Sequence, residues 1–132
     1  MRYMLMIYTP EERQGSAPDP AQMEAMLAAW NDFTQACIDR GVYIDSDPLQ
    51  PSATATTVSH TGGDPIVSDG PFAETREVLG GFYLLDCRDL DEALELAKLV
   101  PSGDGSKIEV RPIWQLDGLN SQVRAGAEAA TS

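Results

Sequence analysis

The first strand-forming run sets the problem that the rest of the chain must solve. Residues 2 to 8 place Tyr3, Leu5 and Ile7 on one side and Met4, Met6 and Tyr8 on the other, so both faces are apolar. A strand whose sheet meets water on one side alternates apolar and polar residues, whereas a strand apolar on both sides needs cover on each. Whatever this chain folds into must bury two faces of a sheet.

One cover is legible nearby. After the polar loop from Thr9 to Pro18, Asp19 is placed to cap a helix with Pro20 in its first position and Gln22 at the capping-box spacing. Met23, Met26, Leu27, Trp30, Phe33, Cys37 and Ile38 then recur at three- and four-residue steps, and Gly41 follows Arg40 as a left-handed stop. This pattern predicts an amphipathic helix packed on a sheet. Two short strands are expected over Val42 to Leu49 and Ala53 to His60, with Asp45 and Asp47 keeping their edge soluble. Thr61-Gly62-Gly63-Asp64 reads as a hairpin connection into a brief Ile66-Val67 strand, and Leu79 to Cys87 forms the next. Asp89 caps a second helix, with Glu92 at its capping-box position and Leu90, Ala93, Leu94, Ala97 and Leu99 or Val100 on its buried side, until Pro101. Lys107 to Ile113 is the last strand, with Glu109 and Arg111 on one face.

Strand, helix, strands, strand, helix, strand is the order of an α+β domain of the ferredoxin-like split β-α-β type, an antiparallel sheet with two helices on one face. The other face still needs cover, and two such sheets pairing by a two-fold axis into a dimeric α+β barrel supply it, so a homodimer is expected. Residues 1–116 form the single domain, and residues 117–132, rich in Ala, Gly and Ser without an apolar stripe, read as a flexible or partner-contacting tail.

Charge narrows the partners. With 9 Lys and Arg against 21 Asp and Glu the net charge is −12, which repels phosphate backbones and anionic lipid, so neither nucleic acid nor membrane is an expected partner. No apolar run reaches membrane-spanning length and no cleavage-like site follows the first strand, so a cytoplasmic location is expected. Cys37 and Cys87 lie inside predicted elements and read as free buried thiols. With one histidine and no paired cysteine spacing, no metal site and no cofactor are expected.

The densest polar segment is Ser68-Asp69-Gly70-Pro71-Phe72-Ala73-Glu74-Thr75-Arg76-Glu77. Pro71 fixes its own φ and Gly70 takes angles barred to other residues, so Asp69 is held at the start of a forced bend. Either Asp69 accepts hydrogen bonds within its own turn or the elbow is a site. In the second case Asp69, Glu77 and His60 are the candidate catalytic groups, and Arg76, Glu109 and Arg111 supply ligand-binding charge. Alternatively, Arg111 forms a structural pair with Glu77 or Asp69 within the dimer. Trp30 and Tyr83 are candidate pocket-lining residues whose alternative role is core packing. Gly80-Gly81, inside a strand, points to a bulge or a close helix approach.

The N-terminal Met1-Arg2-Tyr3-Met4-Leu5-Met6-Ile7-Tyr8, the elbow Asp69-Gly70-Pro71-Phe72, Leu79-Gly80-Gly81-Phe82-Tyr83 and Ile108-Glu109-Val110-Arg111-Pro112 together resemble the DGPF-type branch of the YCII-related family over residues 1 to about 114. The resemblance implies a dimeric α+β barrel of ferredoxin-like protomers. YCII-type members pair a helix-one histidine with an aspartate, which implies an enzyme, here of lyase, isomerase or oxygenase type with a small-molecule pocket. Domains of the DGPF type also occur fused to extracytoplasmic-function sigma factors, which implies instead a sensing or interaction domain with a sigma-factor partner in transcription initiation. In this chain the histidine's place falls at Trp30 or a near neighbour, and Asp69 is the candidate for the aspartate.

Overall fold

A computed structural model describes residues 1–15, 18–72 and 76–116. The expected tail and Glu74 lie outside the described residues.

Strand β1 runs Arg2–Pro10 and leads through a 3-10 turn, Glu11–Gly15, toward helix α1, Pro20–Asp39. The helix starts where its cap chemistry dictates: the Asp19 carboxylate accepts from Gln22 N at 2.8 Å and the Gln22 side chain accepts from Asp19 N at 3.2 Å. It stops at Gly41, with Val42 N donating to Cys37 O. Strand β2 is Tyr43–Pro48, β3 Thr56–Ser59, β4 Ile66–Asp69, β5 Glu77–Asp86 and β6 Lys107–Pro112, with helix α2, Leu90–Leu99, between the last two.

The main sheet has the order β2-β5-β1-β6, antiparallel throughout, which is the split β-α-β topology of a ferredoxin-like α+β fold. β3 and β4 stand apart as a two-stranded ribbon, Val58 opposite Val67, rather than extending that sheet. The expected second strand is thus shortened to four residues, because Pro51 begins a 3-10 turn over Ser52–Thr54 before extended geometry resumes.

The strand alternation falls as the sequence pattern requires. Tyr3, Leu5 and Ile7 of β1 and Tyr83 and Leu85 of β5 are buried beneath the helices, together with Phe33 and Cys37 of α1 and Ala93 and Leu96 of α2. Met4, Met6, Tyr8, Phe82 and Leu84 lie half-buried on the opposite face, Met4 paired with Leu84 and Met6 with Phe82. Each fully buried leucine contributes roughly 2 to 5 kcal/mol by the usual cost of truncation to Ala.

Glu92, the one buried charged residue among the described residues, is fully engaged. Its carboxylate accepts from Arg88 N at 3.0 Å and from the Arg88 guanidinium at 2.9 Å, and its own N donates to Asp89. The back-bond of the expected capping box therefore reaches one residue before the cap.

Candidate functional site

Helix α1 does not bury the whole stripe its sequence presents. Phe33 and Cys37 are buried and Trp30 is half-buried, but Met23, Met26, Leu27 and Ile38 remain exposed. The reason lies in the sheet below. At Ile7/Tyr8 the β1–β5 register slips, so Gly80 is an extra residue on β5, and Gly81 follows it. Two successive residues without side chains leave the floor bare under the first half of the helix. Gly81 serves close strand approach and not helix approach: a Cβ there would lie 2.9 Å from the Asp47 carbonyl oxygen and 3.3 Å from Pro48 Cα.

The result is a pocket of about 820 Å³ between α1 and the sheet. Met26, Leu27 and Trp30 form its helix wall, Gly80, Gly81 and Tyr83 its floor, and Arg13 and the 101–103 loop its rim. Tyr83 is the hub of an aromatic cluster. Its ring lies 6.1 Å from Trp30 at 17° and meets Phe33 and Tyr43 edge to face at 5.0 and 6.2 Å. Its hydroxyl hydrogen-bonds Thr34 Oγ1, and Ser46, also a partner of that hydroxyl, is itself bonded to Tyr43 at 2.7 Å. Burial pushes the Tyr83 phenol above its ordinary pKa against the lowering effect of those hydroxyls, so at neutral pH it keeps its proton and can donate it. This arrangement offers a neutral donor inside an aromatic box.

The residues singled out at the elbow are distributed over three places. Asp69 ends β4, exposed and opposite Thr56, and His60 is exposed just after β3. The bend itself forms as expected: Gly70 has φ +92°, its N donates to Ala55 O at 2.6 Å and its carbonyl accepts from Thr57 Oγ1 at 2.7 Å, which pins it to the ribbon. Arg76, Glu77 and Glu109 come together elsewhere, lining a hollow of about 500 Å³ with Tyr8, Lys107 and Ile108. There Lys107 pairs with Glu77, and Arg111 Nε donates to Glu109 at 2.9 Å. Within the protomer Arg111 thus bridges along its own strand to Glu109. Trp30 and Tyr83 line the larger pocket under α1 while also packing on the core, so their two expected roles coincide.

The pocket-lining Arg13, Asn31, Thr34 and Ser46 carry no motif and escape a sequence reading. The usable signal was a mismatch: an apolar helix stripe longer than a strand interrupted by two glycines can cover. Among the described residues no three His, Cys, Asp or Glu side chains converge as a metal site would require. Among the same residues no helix is long and apolar enough to cross a membrane.

The profile of the YCII-related domain matches residues 1–117. The chain belongs to the YCII-related family. An uncharacterized protein of Rhizobium meliloti (strain 1021) is 36% identical over 115 residues, covering 86% of this chain and 92% of that protein. The family match over residues 1–117 runs through both helices and all four strands of the main sheet.

Proposed function

We propose that this YCII-related protein is a homodimer that binds a small organic molecule in the pocket under α1, with Tyr83 donating a hydrogen bond to an oxygen of the ligand. The observation that carries this reading is the neutral Tyr83 phenol at the floor of an aromatic pocket of about 820 Å³, within the range of ordinary ligand cavities. A phenol so placed can polarise a carbonyl, and the hydroxyl chain through Thr34 and Ser46 suits proton transfer of a lyase or isomerase kind.

Pairing through the free sheet face supports the same picture. Its centre is apolar, Met4, Met6, Phe82 and Leu84. One edge carries Asp45 and Asp47, opposite Leu84 and Phe82, and the other carries Lys107, Glu109 and Arg111, opposite Tyr8, Met6 and Met4. A two-fold axis lying in the interface parallel to the strands lays the Asp45 and Asp47 edge of one protomer over the Lys107 and Arg111 edge of its partner, a self-complementary arrangement.

A thermal-shift screen of cyclic carbonyl compounds against wild type and Tyr83→Phe tests the pocket. Ligands that raise the wild-type Tm and lose most of that shift in the variant support it; a screen with no shift, or shifts unchanged in the variant, counts against it.

A second reading is favoured by a different surface. The β3–β4 ribbon exposes Val58, Ile66 and Val67, and Phe72 beyond it is 89% exposed. A sensing or interaction domain for an extracytoplasmic-function sigma factor would present such a patch. Val67→Asp abolishing co-purification with that partner, with melting unchanged, would favour this role.

A further inference from the structure

The pocket's charge singles out one class of ligand, an inference that rests on the small-molecule reading above. Among the described residues lining the cavity only Arg13 and Asp47 carry formal charge. Asp47 pairs with Phe82, so strand alternation puts its side chain on the sheet face away from the helices. Arg13 is left as the charged group addressing the cavity.

Its guanidinium is held in place. One amino group donates to Ser102 O at 3.1 Å and the other to Asp104 O, which ties the 3-10 turn after β1 to the loop before β6. Gly103 lies directly against it: a Cβ there would stand 3.1 Å from the guanidinium nitrogen, and its φ of +85° also favours glycine. Two carbonyls use two of the five N–H donors of an arginine, so the remainder are available to a planar anion. Fixing the side chain beforehand removes part of the ordering cost that a mobile surface arginine meets on binding.

The pocket also has two distinct ends. Leu5 pairs with Tyr83 and Thr9 with Val78, so the hydroxyl end and the rim are separated by four residues of β1, about 13 Å at ordinary strand rise. Between them the walls are apolar: Ile7, Met26, Leu27 and Trp30. We propose that the pocket takes an elongated, ring-containing carboxylate, its body beside Trp30 and its anionic group at Arg13, with an oxygen at the far end received by Tyr83.

Titration calorimetry with two matched probes tests this: 6-hydroxy-2-naphthoate and its uncharged amide. Wild type should bind the acid about tenfold more tightly than the amide, the scale of one well-placed charge-assisted contact. Arg13→Gln should reduce that preference to about twofold or less, and Arg13→Lys should keep most of it. Equal binding of acid and amide by wild type, or an undiminished preference in Arg13→Gln, overturns the carboxylate assignment and leaves the pocket reading standing. If neither probe binds, both are overturned.

Discussion

Gly81→Ala probes the packing that creates the pocket floor. The added Cβ would sit 2.9 Å from the Asp47 carbonyl oxygen and 3.3 Å from Pro48 Cα, both backbone atoms of β2, so no side chain can swing away to accommodate it. Strand β2 is an edge strand paired to β5 alone, and it must move outward by several tenths of an ångström. Overpacking of this kind costs about 1 to 3 kcal/mol. For a chain of 132 residues the unfolding entropy at the midpoint is about 0.28 kcal/mol per degree, so Tm should fall by about 4 to 11 °C. Gly80→Ala is the internal control: its Cβ would have its nearest neighbours, Ile7 O and Thr9 Oγ1, at 3.7 Å, an ordinary contact, and its Tm should stay within about 2 °C of wild type. Differential scanning calorimetry of both variants decides the matter. Equal melting of Gly81→Ala and wild type, or a larger loss in Gly80→Ala, would refute the argument that β2 closes on a bare glycine.

The remaining predictions draw on other parts of the molecule. Leu85→Ala, at a fully buried site, should cost about 2 to 5 kcal/mol in urea unfolding, against little for Leu99→Ala on the exposed side of α2. Burial, reinforced by the Glu92 carboxylate, pushes the Cys87 thiol from 9.0 up to about 11. The unfolded chain therefore ionises first, so the thiol's contribution is fully present below pH 9 and is lost as pH rises to about 11. Cys87→Ser should flatten that part of the urea stability profile, and an unaltered slope would contradict the assignment. Both thiols should resist a thiol-reactive dye in the native state at pH 8 and react on denaturation, since both are buried. If the proposed dimer forms through the sheet face away from the helices, Leu84→Lys should elute as a monomer where wild type elutes as a dimer, with the circular dichroism of the fold retained; equal elution volumes would count against that interface.

Much of the architecture follows from periodicity and punctuation. Asp19, Gln22 and Gly41 mark the ends of α1, and the two-sided apolar run of β1 marks a central strand, because caps and alternation are local and depend little on distant residues. The ribbon was less legible. Thr56 to Ser59 has the composition of a strand in any sheet, and only the three-dimensional path of the chain decides that it pairs with β4 alone. Around the site the contrast is sharper. The elbow draws notice because Asp-Gly-Pro is a conspicuous bend, yet Asp69 and His60 end up exposed on the ribbon, apart from the large cavity. Trp30 and Tyr83 were recognisable as candidates from residue type, whereas Arg13 and Thr34 acquire meaning only when α1 stands over the glycine pair. A cavity is a mismatch between two surfaces, and neither surface announces it alone.

The most direct test of the account is where a bound molecule touches the protein. With a compound that raises Tm in the screen, amide and indole resonances should be followed by heteronuclear NMR during titration. The account predicts the largest shifts at the Trp30 indole N–H and at the Gly81, Tyr83 and Thr34 amides. Shifts gathered instead at Thr56 to Gly70, with Trp30 and Tyr83 unmoved, would contradict it and return the site to the Asp69 elbow.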